Sequence, residues 1–235
     1  MRADIRAVLF DAVGTLIYPD PPVAQAYHSR GKEFGSNLTV DEIANRFAAA
    51  FAKQEELDAD VNDSPSSLRR KPTNPMRERQ RWRQIVADVF HEVPDVGGAL
   101  FEALWDHFAR PTSWRLFSDA TPTWEQFSRR GDLTLGVASN FDNRIVDVFR
   151  ELAPFVDDQI IFYSAGLGHS KPDPDFFRSI QQQLNFAPEQ ILLVGDDPIN
   201  DFRGAIAAGW QAILVNRTSG KRTSGEIGSL DELPI

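Results

Sequence analysis

Five short apolar runs recur along the chain and set its frame. They are "IRAVLF" (5–10), "GDLTLGVASN" (131–140), "DQIIFYS" (158–164), "ILLVGDD" (191–197) and "WQAILVN" (210–216). Each is rich in Val, Ile and Leu and bounded by turn residues, the pattern of a strand covered on both faces. Helical spacing fills the gaps between the later runs. Ile145, Val146 and Phe149 mark one helix within 142–151. Asp173 followed by Pro174 reads as an N-cap with proline at the first helical position, opening a helix with Phe177, Ile180 and Leu184. A third helix, 201–208, ends at Gly209. Strands alternating with helices predict a parallel sheet with helices on both faces.

Residues 18–113 carry a different pattern, with no strand-like run. Thr39-Val40-Asp41-Glu42 matches a capping box, after which Ile43, Phe47 and Phe51 recur every four residues. Trp82, Ile85, Val86, Val89 and Phe90 form a second helical stripe, and Leu100, Leu104 and Phe108 a third. Between the first two, 58–75 reads as a long loop. The expected organisation is a core in two parts, 1–17 and 114–235, with an all-helical insertion at 18–113.

Composition narrows the partners. The 235 residues are 42% hydrophobic, enough for a sizeable core. Asp and Glu number 34 against 25 Lys and Arg, a formal charge of -9, which disfavours nucleic acid and anionic membranes. With no cysteine, disulfides and thiolate chemistry are excluded. The first apolar run is too short for a signal-peptide core, so a cytoplasmic location is expected. Monomer and homodimer both remain open.

Polar residues cluster where the predicted strands end. Asp11 closes the first, Ser139 and Asn140 the second, and Lys171 follows the third. Asp196 and Asp197 close the fourth, with Asp201 four residues on. In an open α/β sheet, ligands bind outside the carboxyl ends of the strands. Taken singly, Asp11 reads equally well as a turn cap, Ser139 as a cap hydroxyl and Lys171 as an exposed lysine. The adjacent Asp196 and Asp197 repel one another, which a hard cation would offset.

In order and spacing the set resembles the haloacid dehalogenase superfamily of Asp-nucleophile hydrolases. "DAVGT" (11–15), Ser139 in "VASN", Lys171 and "GDDPIND" (195–201) match its four motifs, and "GAIAAGWQAILVNR" is similar to the segment after the fourth. The resemblance implies an α/β fold, a Rossmann-like doubly wound parallel sheet with an inserted helical cap. It also implies Asp11 as nucleophile and an aspartyl-phosphate intermediate formed from a small phosphorylated substrate. Mg2+ would be held by Asp11, the backbone carbonyl of Val13 and Asp196, with Asp197 or Asp201 ligating or orienting water. Ser139, Asn140 and Lys171 would bind the substrate, and Thr15 would hold the phosphate-side loop.

Val13 departs from the phosphatase branch, where a second aspartate at this place protonates the leaving group. Such acid–base help is worth roughly 10^2 to 10^4 in rate. The expected activity is therefore a weak phosphatase or one confined to good leaving groups, with Asp197 a candidate substitute acid. A 2-haloacid dehalogenase also lacks that aspartate, but "GDD" is the metal-binding form of the fourth motif. "RERQRWR" (77–83) could supply a halide-binding arginine or simply be a solvated face. A phosphonoacetaldehyde hydrolase would use a cap lysine, for which Lys32, Lys53 and Lys71 are available. A protein that binds phosphoesters with little turnover is a further alternative. Other haloacid dehalogenase-like hydrolases also lack the second aspartate, and the ending "VGDDPINDFRGAIAAG" is similar to theirs.

Overall fold

The structure, a computed structural model, describes residues 5–58, 71–94, 96–152, 154–155, 160–218 and 223–234. Six parallel strands form the main sheet. They are β1 (Ala7–Phe10), β4 (Thr134–Ser139), β5 (Ile160–Tyr163), β6 (Ile191–Gly195), β7 (Gln211–Val215) and β8 (Glu226–Ile227), in the order β5-β4-β1-β6-β7-β8. β1 is central, pairing Phe10 with Val137 of β4 and Val194 of β6. The carboxyl ends of the three motif-bearing strands thus lie side by side.

Every residue of β1 is buried, because alternate side chains feed two separate cores. Val8 and Phe10 join Trp124, Phe127 and Phe149 on one face. Ala7 and Leu9 join Phe176, Phe177 and Ile180 on the other. The covering helices are α5 (Ala120–Ser128) and α6 (Arg144–Arg150) on the first face and, after the single turn α7 (Ser164–Leu167) that follows β5, α8 (Pro174–Leu184) on the second. As expected, Asp173 caps α8, accepting from the Asp175 N–H at 2.9 Å. The predicted 201–208 helix is divided, into a wide π-type turn (Pro198–Arg203) and a short α9 (Gly204–Ala207).

Between β1 and α5 the chain builds the inserted helical cap, with α1 (Val23–Glu33), α2 (Val40–Asp58), α3 (Pro75–Val89) and α4 (Phe101–Ala109). The Thr39–Glu42 box starts α2. Glu42 accepts from the Thr39 N–H at 2.8 Å, and its own N–H donates to Thr39 Oγ1 at 3.3 Å. Ile43, Ile85, Val86, Val89, Phe90, Leu100 and Leu104 form the cap's own core. Two three-residue strands join cap to sheet, β2 (Ile17–Pro19) antiparallel to β3 (Trp114–Leu116). The sequence pattern showed neither. Most of the expected 58–75 loop, residues 59–70, lies outside the described residues. No helix among the described residues is long and apolar enough to cross a membrane.

Candidate active site at the strand ends

Asp11 follows β1 and stays on its ladder, with its N–H donating to Val194 O at 2.8 Å. The chain then turns back tightly, Leu16 N–H donating to Ala12 O at 2.8 Å. Gly14 takes φ +95° in this turn, and a Cβ there would lie 2.2 Å from Asp196 Oδ2. Glycine is thus required both by backbone and by space. Gly195 has the same spatial role, since its Cβ would meet Asp201 Oδ2 at 2.2 Å. Two missing side chains let two carboxylates approach the strand ends.

Lys171 joins the motifs. It is 1% exposed, and its Nζ donates to Asp11 Oδ1 at 2.7 Å, Ala138 O at 2.8 Å and Asp201 Oδ1 at 2.5 Å. Thr15 Oγ1 donates to Asp196 Oδ1 at 3.2 Å. Ser139 is buried at the end of β4. Asn140 Nδ2 donates to Lys171 O at 2.9 Å, and its Oδ1 accepts from the Lys171 N–H at 2.7 Å. Its amide therefore sets the lysine's backbone and welds two motif loops together.

Asp11, Asp196 and Asp201 each place a carboxylate oxygen within 4.8 Å of the others. Asp197 stands outside this group. Its Oδ1 accepts from the N–H groups of Ile199 and Asn200, and its Oδ2 from Asn200 Nδ2, all at 2.8 Å. Its side chain caps the turn before Pro198–Arg203, while its own N–H donates to Asp201 Oδ2 at 3.0 Å. Val13, half-buried, leans on the apolar core below the site.

The electrostatics follow from setting two buried acids, Asp11 and Asp201, and the solvent-reaching Asp196 beside one buried base. Burial raises the Asp11 carboxyl above its ordinary range; Lys171 opposes that and Asp196 adds to it. Burial alone would lower Lys171, but Asp11 and Asp201 outweigh it, and its proton is held above the ordinary lysine value. Asp196 reaches solvent, yet the protein packed around its carboxyl strips part of its hydration and, with the charge of Asp201, pushes it up to about 6. Asp201 also rises to about 6, mainly through burial, with Lys171 opposing and Asp11 adding. Three convergent hard oxygen donors with an excess of negative charge fit a divalent cation such as Mg2+.

Two residues outside the candidate set brace the first loop. Arg217 Nη2 donates to Thr15 O at 2.8 Å, and its Nη1 donates to Asp119 Oδ2 at 2.7 Å. Asp119 also accepts from Ser229 Oγ and the Leu230 N–H, both at 2.8 Å. Arg217 falls within a stretch singled out in the sequence, but Asp119 carries no local signal.

The cap docks on the loop that bears Lys171. Lys71 N–H donates to Asp173 Oδ2 at 2.8 Å, Ser170 N–H to Lys71 O at 2.9 Å, and Thr73 N–H to Gly168 O at 2.9 Å. Arg144, buried and bidentate on Asp142, reaches across to stack on Trp105 of α4, 3.4 Å from the ring centroid. A small, partly open cleft of about 30 Å³ lies between cap and core. Glu55, Lys71, Thr73, Glu78 and Arg81 line its cap side, and Asn140, Ser164 and Ser170 its core side. The arginines of 77–83 are largely committed. Arg79 and Arg83 pair with Glu102, and Arg81 with Glu55 at 2.6 Å.

Comparison with known proteins agrees with this architecture. A family profile described as haloacid dehalogenase-like hydrolase matches residues 5–209. Haloacid dehalogenase-like hydrolase domain-containing protein 3 of Danio rerio is 26% identical over 100% of this chain and 97% of its own. Among solved structures, the HAD-hydrolase YfnB of Bacillus subtilis, bound to magnesium, superposes with TM-score 0.76 at 18% identity, covering 97% of this chain and 96% of its own. A HAD phosphatase from Thermococcus onnurineus gives TM-score 0.64 at 22% identity, over 97% and 95%. The profile spans the four motif loops and the inserted helices, and the chain belongs to the haloacid dehalogenase-like hydrolase family.

Proposed function

We propose that the protein is a Mg2+-dependent hydrolase that transfers a phosphoryl group to water through an aspartyl-phosphate on Asp11. The observation that carries the reading is the grip of Lys171 on Asp11 Oδ1, beside the converging carboxylates of Asp196 and Asp201. On this reading residues 18–113 are the cap and the remainder the catalytic core.

Asp11, Asp196 and Asp201 would hold the cation, which supplies charge neutralisation for an incoming phosphate dianion. Lys171 holds the Asp11 carboxylate in one orientation while its ammonium offsets charge on the transferring oxygens. A carboxylate oxygen of Asp11 bonds to phosphorus as the bond to the leaving oxygen breaks, and the electron pair departs with the leaving group. Water then attacks phosphorus, releasing phosphate and restoring Asp11. Ser139 would donate to a phosphoryl oxygen, and Asn140 would act by positioning Lys171. The magnesium bound by the similarly folded YfnB supports the choice of cation.

Acetyl phosphate tests this directly, since its leaving group needs no proton. Mg2+-dependent turnover lost by at least about 10^3-fold in Asp11→Asn is the expected result. Full activity in that variant would overturn the reading. So would metal-free halide release from 2-haloacids without phosphatase activity.

A further inference from the structure

We infer that Arg217 is a positioning residue for the cation site, holding Asp196 in place through Gly14 and Thr15 without touching it. This rests on the metal-dependent reading above and adds a residue outside the four motif loops that sets how tightly the cation is bound.

Arg217 stands two residues past the end of β7, one strand further out than β6, which leads into Asp196. Its guanidinium faces two ways. On one side Nη2 donates to Thr15 O at 2.8 Å and Nε to Gly14 O at 3.4 Å. On the other, Nη1 and Nη2 donate to the two carboxylate oxygens of Asp119, at 2.7 and 3.1 Å. The Phe117 ring, with its centroid 3.9 Å from the guanidinium carbon, stacks on the fork and fixes its plane. Asp119 is itself buried and held by Ser229 and Leu230, so the fork is anchored to the segment after β8.

Gly14 and Thr15 are the residues that meet Asp196. Thr15 Oγ1 donates to Asp196 Oδ1, and Gly14 lies so close that a Cβ on it would stand 2.2 Å from Oδ2. Among the described residues no other side chain hydrogen-bonds the Asp196 carboxylate, and that carboxylate reaches solvent. Its rotamer therefore depends on where these two residues sit. Asp11 is held differently, by its ladder bond to Val194 and by Lys171. Loosening Arg217 should free Asp196 and leave the nucleophile clasped.

Position and charge make different forecasts for this residue. Lysine keeps the charge but cannot reproduce a planar fork that serves two carbonyls and a carboxylate at once. Glutamine removes the charge, which by electrostatics alone would favour a bound cation.

The test titrates the protein with Mn2+, a probe of the Mg2+ site, and reads the free ion by electron paramagnetic resonance without substrate. Binding that survives in Asp196→Asn is subtracted as lying elsewhere. Arg217→Lys is expected to weaken the remainder about tenfold, the scale on which residues behind the ligands tune a metal. Thr15→Val should weaken it as much and Thr15→Ser by less than about threefold. The double variant Thr15→Val with Arg217→Lys should lose no more than either alone, since both cut one chain of contacts. In acetyl phosphate assays of Arg217→Lys, half-saturating Mg2+ should rise about tenfold while kcat at saturating Mg2+ falls by much less. A lower urea midpoint with unchanged affinity for Mn2+ in the folded protein would make Arg217 merely structural and overturn the inference. Tighter binding in Arg217→Gln, or fully additive losses in the double variant, would overturn it too. If wild type shows no Mn2+ binding that Asp196→Asn removes, the metal-dependent reading falls and this inference with it.

Discussion

Val13→Asp restores a carboxyl where the phosphatase branch carries one, and its effect divides into two opposed parts. The stability cost is modest because Val13 is only half-buried. Losing its partial contact with the core forfeits about 1 kcal/mol. A carboxylate at position 13, two residues from Asp11 and adjacent to the Gly14 that abuts Asp196, adds like charge to the loop of the acidic cluster and costs about 1 to 2 kcal/mol more. Thermal denaturation should therefore show about 2 to 3 kcal/mol of destabilisation, partly recovered with Mg2+. The catalytic gain depends on the leaving group. A positioned acid is worth roughly 10^2 to 10^4 where an alkoxide must depart, and little for acetyl phosphate, whose leaving group is already a stable anion. Steady-state assays of propyl and acetyl phosphate on both proteins separate the cases. Propyl phosphate should gain at least about a hundredfold and acetyl phosphate less than about threefold. Equal gains on both, or none on propyl phosphate, would refute the reasoning that position 13 limits proton transfer.

Two further perturbations address the supports of the site. Asp119→Asn leaves Arg217, whose side chain is 21% exposed, without its anion and should cost about 3 kcal/mol by urea denaturation. Burial works to raise the Asp119 carboxyl, but bonds from Arg217, Leu230 and Ser229 prevail and hold it below its ordinary 3.8. Its contribution is thus present above that value and lost as pH falls through the lower folded one, so the gap between wild type and variant should close in acid. Gly195→Ala drives a Cβ into the Asp201 carboxylate and should lower kcat/KM for acetyl phosphate by about a hundredfold. Gly131→Ala, with nothing within 4 Å of the added atom, should leave it unchanged.

What the sequence made legible was whatever depends on near neighbours. The apolar runs of β1, β4 and β6 are fully or mostly buried strands. The caps at Thr39 and Asp173 each find their partner within three residues along the chain. What it hid depends on partners far along the chain. β2 and β3 are three residues each and pair across the whole cap, so neither carries a pattern of its own. The brace from Asp119 to Arg217 spans 98 residues, and the docking of Lys71 on Asp173 spans 102. The arginines of 77–83 read as a solvated face or an anion site because Glu55 and Glu102, which pair with three of them, lie on other helices.

Asp197 is the instructive exception, because the local signal for its place was present and had a rival. Two adjacent acids after an apolar strand suggest a shared cation, and that argument treats Asp196 and Asp197 alike. Yet Asp197 precedes Pro198 as Asp173 precedes Pro174, and an aspartate before proline at a helix start is an N-cap. Both residues accept from backbone N–H groups two positions ahead. Successive side chains leaving a strand also diverge, so one aspartate can face Thr15 and the Asp11 cluster while its neighbour turns to the helix. The third carboxylate comes instead from Asp201, one helical turn further on. Gly195 leaves the space through which it reaches Lys171. The spacing in "GDDPIND" then has a physical reading, with glycine for access, the first aspartate for the cluster, the second for the cap and the third for the lysine.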